Sequence, residues 1–137
     1  MQVEVNYLAV FISGILAMVI GYLWYSPILF GNSWMKLVGL TKEKIESQKN
    51  QMPKTYSLMF ISALIMAFVL SYFISYLGAT DMVTGSIGGF WAWLGFVATS
   101  MFSGALFTNK PLKLLTIEAG YYLVLLVVMG ALLASLR

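Results

Sequence analysis

Five acids occur in this chain, and only one of them, Glu118, sits inside a long apolar run; Glu4, Glu43, Glu46 and Asp81 fall in polar segments. A carboxylate at the centre of a bilayer costs about 2.5–3.5 kcal/mol on insertion scales and less near the interface, so it faces other helices or water rather than lipid. In such a place it could hold a cation or a cationic solute, or stay protonated, because burial raises an acid's pKa. Tyr121 and Tyr122 follow it by three and four residues, on its own helix face. Ser103, near the end of the third apolar run, and Ser26, near the end of the first, fall at a similar depth. The counting therefore predicts a polar cluster of Ser26, Ser103, Glu118 and Tyr122, with Tyr25 beside it. Two uses fit it: a ligand site, or hydrogen-bonding glue between helices, worth roughly 0.6–2 kcal/mol per bond in lipid.

The elements that must position these residues are four apolar stretches. The chain is 61% hydrophobic and 9% charged, whereas a water-soluble domain carries about 25% charged residues. So few charges cannot cover a water-facing surface, and lipid is the solvent this composition suits. Tyr7 to Gly31 runs for 25 residues without a charge, and about 20 apolar residues span the hydrocarbon core as a helix. The reading is an all-α membrane protein, a single domain with helices over residues 6–30, 55–77, 86–107 and 112–136. A polar, partly amphipathic helical loop, 31–54, joins the first two. The first apolar run is too long for a signal-peptide core and is read as a retained helix. Asn6 is the predicted N-cap of the first helix, Thr41 caps a short helix in the loop, and Pro27 is expected to kink the first helix before Gly31 ends it.

Small residues recur every fourth position at Ala9, Ser13, Ala17 and Gly21, and again at Ala63, Ala67, Ser71 and Ser75. This spacing stacks them on one helix face, where a neighbouring backbone can come close. The two rows predict tight packing of the first and second helices. A third row, Gly95, Thr99 and Ser103, and the pair Gly130 and Ala134 mark the last two helices. More such faces exist than one bundle needs, which favours a homodimer. A short echo, Leu29-Phe30-x-Asn32 against Leu106-Phe107-x-Asn109, raises a parallel repeat as an option.

Lys36, Lys42, Lys44, Lys49 and Lys54 lie in the first loop and Lys110 and Lys113 in the third, with Arg137 alone at the other side. By the positive-inside rule the basic loops are cytoplasmic and both termini outside, in the cytoplasmic membrane. Trp24, Tyr25, Trp34 and Tyr56 would then form the inner aromatic belt, and Tyr7, Tyr72, Tyr76, Trp91 and Trp93 the outer one. The net charge of +3 is placed for membrane orientation and not for nucleic acid.

Cysteine and histidine are both absent, which excludes disulfides, thiol catalysis, Cys/His zinc sites and histidine proton relays. No motif for a nucleotide, haem or metal is present, and no serine has a histidine base, so an enzyme and a cofactor are not expected.

Trp24-Tyr25-Ser26-Pro27, preceded by Gly21 and Leu23 and followed by Phe30-Gly31 and Trp34-Met35, is the most specific of several short motifs. Others are Gly39-Leu40-Thr41, Trp93-Leu94-Gly95-Phe96, Ile117-Glu118-Ala119-Gly120-Tyr121 and Met129-Gly130-Ala131. Together they cover most of the chain, which resembles the DUF1761 family of small four-helix bacterial and archaeal membrane proteins of unknown function. The resemblance implies the four-helix topology and supplies no activity. The preferred function is a small oligomeric transporter or channel-like protein for a solute or ion, with Glu118 as its acidic site; the alternative is a non-catalytic scaffold or accessory subunit. A cavity reaching Glu118 would favour the first, and a fully paired Glu118 the second.

Overall fold

The computed structural model describes residues 3–137, which contain helices and turns and no strand. In chain order the helices are α1 (Tyr7–Trp24), α2 (Gly31–Val38), α3 (Lys42–Ser47), α4 (Met52–Tyr76), α5 (Met82–Ala92), α6 (Thr99–Thr108) and α7 (Leu112–Ser135). A π-helical segment, Trp93–Ala98, joins α5 to α6 without a break. Four of the resulting rods are long and apolar enough to cross a membrane: α1, α4 with the turn ahead of it, the α5–α6 rod, and α7. The protein is an all-helical, four-span membrane bundle.

Helix α7 is its hub. It packs on α1, α4, α5, α6 and the short α2, while α1 otherwise touches α4, and α5 touches α4 along a shorter stretch. The buried core runs along α7 through Tyr121, Leu125, Met129 and Leu133, and meets Ala9 and Ala17 of α1 and Ala67, Leu70 and Ile74 of α4. Lipid tails are as apolar as leucine, so packing in this solvent is driven by close fit, and small residues provide it. Ala9, Ser13 and Ala17 are buried, as are Ala63, Ala67 and Ser71, while Ser75 is only partly so. Helix α1 serves two neighbours. A Cβ at Gly14 would meet Leu64 Cδ2 of α4 at 2.7 Å, whereas Gly21 lies under the Tyr121 hydroxyl of α7.

The closest approach in the bundle is elsewhere, between α5 and α7. A Cβ at Gly85 would overlap the Gly130 carbonyl, and one at Gly89 the Leu126 carbonyl. Gly85 and Gly89 carry the same four-residue spacing as the rows on α1 and α4. The row predicted for this span, Gly95-Thr99-Ser103, makes no such close contact: all three are exposed, and no atom lies within 4 Å of a Cβ built on Gly95.

Boundaries differ from the expected ones where local hydrogen bonding decides. Helix α1 stops at Trp24, not near residue 30, and Pro27 lies past its end instead of kinking it. A proline cannot accept the helical pattern, and Ser26 fills the gap: its Oγ donates to the Leu23 carbonyl at 2.7 Å, and its own carbonyl accepts from Gly31 N at 2.8 Å. Gly31 does not terminate a helix; it opens α2 and is buried because a Cβ there would overlap the carbonyls of Tyr25 and Ser26. Asn6 caps α1 by accepting from Ala9 N at 3.2 Å, and Thr41 caps α3 by accepting from Lys44 N at 3.2 Å. The two asparagines of the short echo play different local parts: Asn109 takes the left-handed conformation (φ 56°) past the end of α6, whereas Asn32 is inside α2.

The two ends of the bundle are distinct in charge. At one end Asn6 Nδ2 donates to the Leu136 carbonyl and Arg137 to the Ala79 carbonyl, both at 2.6 Å, tying the two ends of the chain to the α4–α5 turn. All seven lysines follow α1 or α6, in the segments at the other end.

Candidate functional site

The residues singled out by sequence converge on the first turns of α7, but through the backbone more than through Glu118. The α1 terminus places Trp24 against α7, and its indole Nε1 donates to the Ile117 carbonyl at 2.9 Å. From the other side the π-helical segment presents Trp93, whose Nε1 donates to the Ala119 carbonyl at 2.8 Å. Residues two apart on an α-helix point about 200° away from each other, so the two indoles grip α7 from nearly opposite faces. Each carbonyl has a second lone pair, so it can take an indole in addition to its helical partner. A third bond runs the other way: Tyr121 Oη donates to the Ala17 carbonyl of α1 at 2.8 Å and is buried. Gly120 makes room for the Trp24 ring, which a Cβ there would meet at 3.0 Å.

This explains the Trp-Tyr-Ser-Pro motif locally. Trp24 docks on α7, Ser26 and Pro27 turn the chain, and the turn folds Phe30 back on Trp24 (ring centroids 4.8 Å apart). Tyr25 packs between Trp34 of α2, edge to face with centroids 5.0 Å apart, and the tilted ring of Tyr121 at 5.7 Å. Trp24 and Trp93 are therefore interhelical bonding residues, and Trp93 belongs at the depth of Ala119, not in an outer belt. Trp91, 61% exposed, is free to serve there.

Glu118 has a partner that depth counting did not name. Lys110, in the turn before α7, folds back so that its Nζ lies 3.1 Å from Glu118 Oε2. This is the only ion pair among the described residues, and both side chains keep partial exposure, 33% and 22%. Tyr121, one turn past Glu118 on the same helix, has the Tyr25 ring at 5.7 Å and the Tyr122 ring at 5.0 Å. The structure thus brings Tyr25, Tyr122 and Glu118 into one neighbourhood. It leaves out Ser103, which is exposed on the outer side of α6, and Ser26, whose hydroxyl is spent on its own turn. The expected four-member cluster is reduced by those two because helix α6 splays from α7 and α1 ends early. Lys110 was within reach of sequence reasoning: it precedes Glu118 by eight residues across a turn that Asn109 and Pro111 make tight.

Two cavities flank this region, both lined by residues of the spanning segments. One, about 480 Å³, lies between the π-helical segment with α6 and the start of α7, lined by Trp93, Thr99, Phe102, Leu115, Ala119 and Leu123 among others. The other, about 350 Å³, lies among α1, α4 and α7, where Tyr121, Tyr122, Thr55 and Ser62 give it a more polar wall beside Met18 and Met59. Glu118 lines neither. Among the described residues no three His, Cys, Asp or Glu side chains gather as metal ligands would.

Fold and site define a compact four-span helical membrane protein with one neutralised acid near its basic end. A family described as "Protein of unknown function (DUF1761)" matches residues 8–134, and the chain belongs to it. No curated protein and no solved structure matches the chain.

Proposed function

We propose that this protein is a non-catalytic membrane scaffold or accessory subunit, working through its lateral surface, and not a solute conduit. The observation that carries this reading is the state of Glu118: its charge is matched by Lys110 at 3.1 Å, while the bundle axis is filled by the buried side of α7. A conduit needs a polar path past the acid, and Glu118 lines neither cavity. The positive-inside rule supports cytoplasmic basic loops and external termini, in the cytoplasmic membrane.

Reconstitution tests the reading. Liposomes containing the protein should release a panel of small ions and neutral solutes no faster than empty liposomes, and Glu118→Ala should change nothing. A flux that the protein creates and Glu118→Ala abolishes would overturn it. The transport alternative keeps one supporting observation, the cavity walled by Tyr121, Tyr122, Thr55 and Ser62; for it, Tyr122→Phe would alter any such flux.

The homodimer expected from sequence also belongs to this proposal. The rows on α1, α4 and α7 are used inside the bundle, whereas Ser103 and Gly104 are exposed on α6, with open space over Gly104. In this cysteine-free chain, Gly104→Cys should form disulfide-linked pairs in the membrane if that face is shared, and stay monomeric if it is not.

A further inference from the structure

We infer that the cleft between α6 and α7 is a binding site for an acyl chain of an anionic phospholipid, with Lys113 holding the headgroup. The inference is independent of the scaffold reading. It begins with the backbone. The π-helical segment Trp93–Ala98 re-aims the rod, so that α5 lies tight on α7 and α6 does not. The Trp93 indole, bonded to the Ala119 carbonyl, fixes the floor of the gap and keeps it from closing. What remains is a cavity of about 480 Å³ within two spanning rods, at a level where lipid chains are the solvent.

Its wall is chemically selective. Phe102, Leu115 and Leu123 are apolar, and the two hydroxyl residues are turned inward on their own helices. Thr99 Oγ1 donates to the Gly95 carbonyl at 2.7 Å, and Thr116 Oγ1 to the Leu112 carbonyl at 2.8 Å. With the Trp93 N–H also engaged, the cleft offers no free donor to a quinone or sterol oxygen, and its lining suits methylene groups. A charge lies one helical turn away. Lys113 precedes Thr116 by three residues, on the same face of α7 and one turn nearer the basic end. It is exposed and has no ion-pair partner among the described residues, whereas Lys110 is neutralised by Glu118. One free ammonium above an apolar slot matches a phosphate above an acyl chain. Basic pockets between transmembrane helices are a recurring way to hold anionic headgroups.

The test uses the whole protein in nanodiscs of phosphatidylcholine doped at low mole fraction with lipid brominated on its chains. Bromine quenches tryptophan on contact, and the Trp93 share is the difference between wild type and Trp93→Phe. Brominated phosphatidylglycerol should quench that share several-fold more than brominated phosphatidylcholine. Lys113→Gln should remove the preference, and Ala119→Leu, which fills the cleft, should remove most of the quenching by both. Ala98→Leu fills the same space from the other wall and replaces Ala119→Leu if that variant melts early by circular dichroism. Equal quenching by the two lipids would mean ordinary boundary lipid and overturn the site. A preference that survives Lys113→Gln, or quenching that survives a filled cleft, would overturn it as well.

Discussion

The two halves of the α5–α6 rod are a controlled contrast within one transmembrane span. Both halves are apolar and both contain small residues at helical spacing. In α5, Gly85, Gly88 and Gly89 are buried, and two of them touch the backbone of α7. In α6 only Ala105 is buried, and Gly104 has nothing over it. The difference is register, not composition. The wider turns of the π-helical segment between them rotate each residue less than an α-helix does, and past it the face that continued the glycine contact turns away. Thr99 and Ser100, whose hydroxyls donate to the Gly95 and Phe96 carbonyls at 2.7 Å, supply partners to backbone groups where the pattern changes. A row of small residues thus means contact only where the backbone delivers it to a neighbour.

The sharpest break of this contrast is steric. Gly89→Val places a branched side chain onto the Leu126 backbone, which cannot rotate aside as a side chain could. Overpacking typically costs about 1–3 kcal/mol, and a backbone obstacle puts this substitution at the upper end or beyond. Thermal unfolding in detergent should show a large loss. Gly104→Ala, in the other half, should be neutral or slightly stabilising, since alanine exceeds glycine by about 1 kcal/mol in helix propensity. Equal effects at the two sites would erase the distinction between the halves.

A smaller loss should come from the indole bonds that mark the junction. Trp24→Phe and Trp93→Phe each remove one interhelical hydrogen bond while leaving a ring in place, for about 0.6–1.7 kcal/mol. The pair lies on opposite faces of α7, so the double variant should be near additive; strong coupling would mean that the two indoles hold one shared arrangement. Lys110→Gln should cost less, roughly 0.2–1 kcal/mol, because both partners of the ion pair are partly exposed. Its effect should shrink in high salt.

The smallest expected effect is at the start of α5. Asp81 accepts from Thr84 N at 2.8 Å and from Thr84 Oγ1 at 3.1 Å, which holds its carboxyl below the usual value of 3.8. A depressed folded-state pKa stabilises above the unfolded value, and that contribution fades as pH falls through the folded one. Asp81→Asn keeps a capping oxygen without the charge. Between pH 5 and strongly acid conditions wild type should therefore lose slightly more stability than Asp81→Asn; parallel curves would deny the cap any electrostatic part.

Much of the fold could be read from residues alone. Long apolar runs located the four spans, Asn6 and Thr41 announced helix starts through their side-chain acceptors, and the lysines segregated to one end. The site was readable only in part. Glu118 was identifiable as the lone intramembrane acid, but its partner was sought among serines at equal depth when a lysine across a tight turn was nearer in space. The rows on α1 and α4 found their places, while the row chosen for the third span fell on the wrong half of it. Counting by fours assumes a uniform α-helix, and a π-helical segment resets the count without an obvious mark in the sequence.

By itself the amino-acid order determined the solvent of this protein, the number of its crossings and the end at which its cations gather, because each follows from local hydropathy and charge. Which faces meet was decided only in three dimensions. In lipid the fit of backbone to backbone selects the contacts, and that fit depends on where Gly85 and Gly89 point relative to α7, where α1 ends, and how far the π-helical segment turns α6 aside.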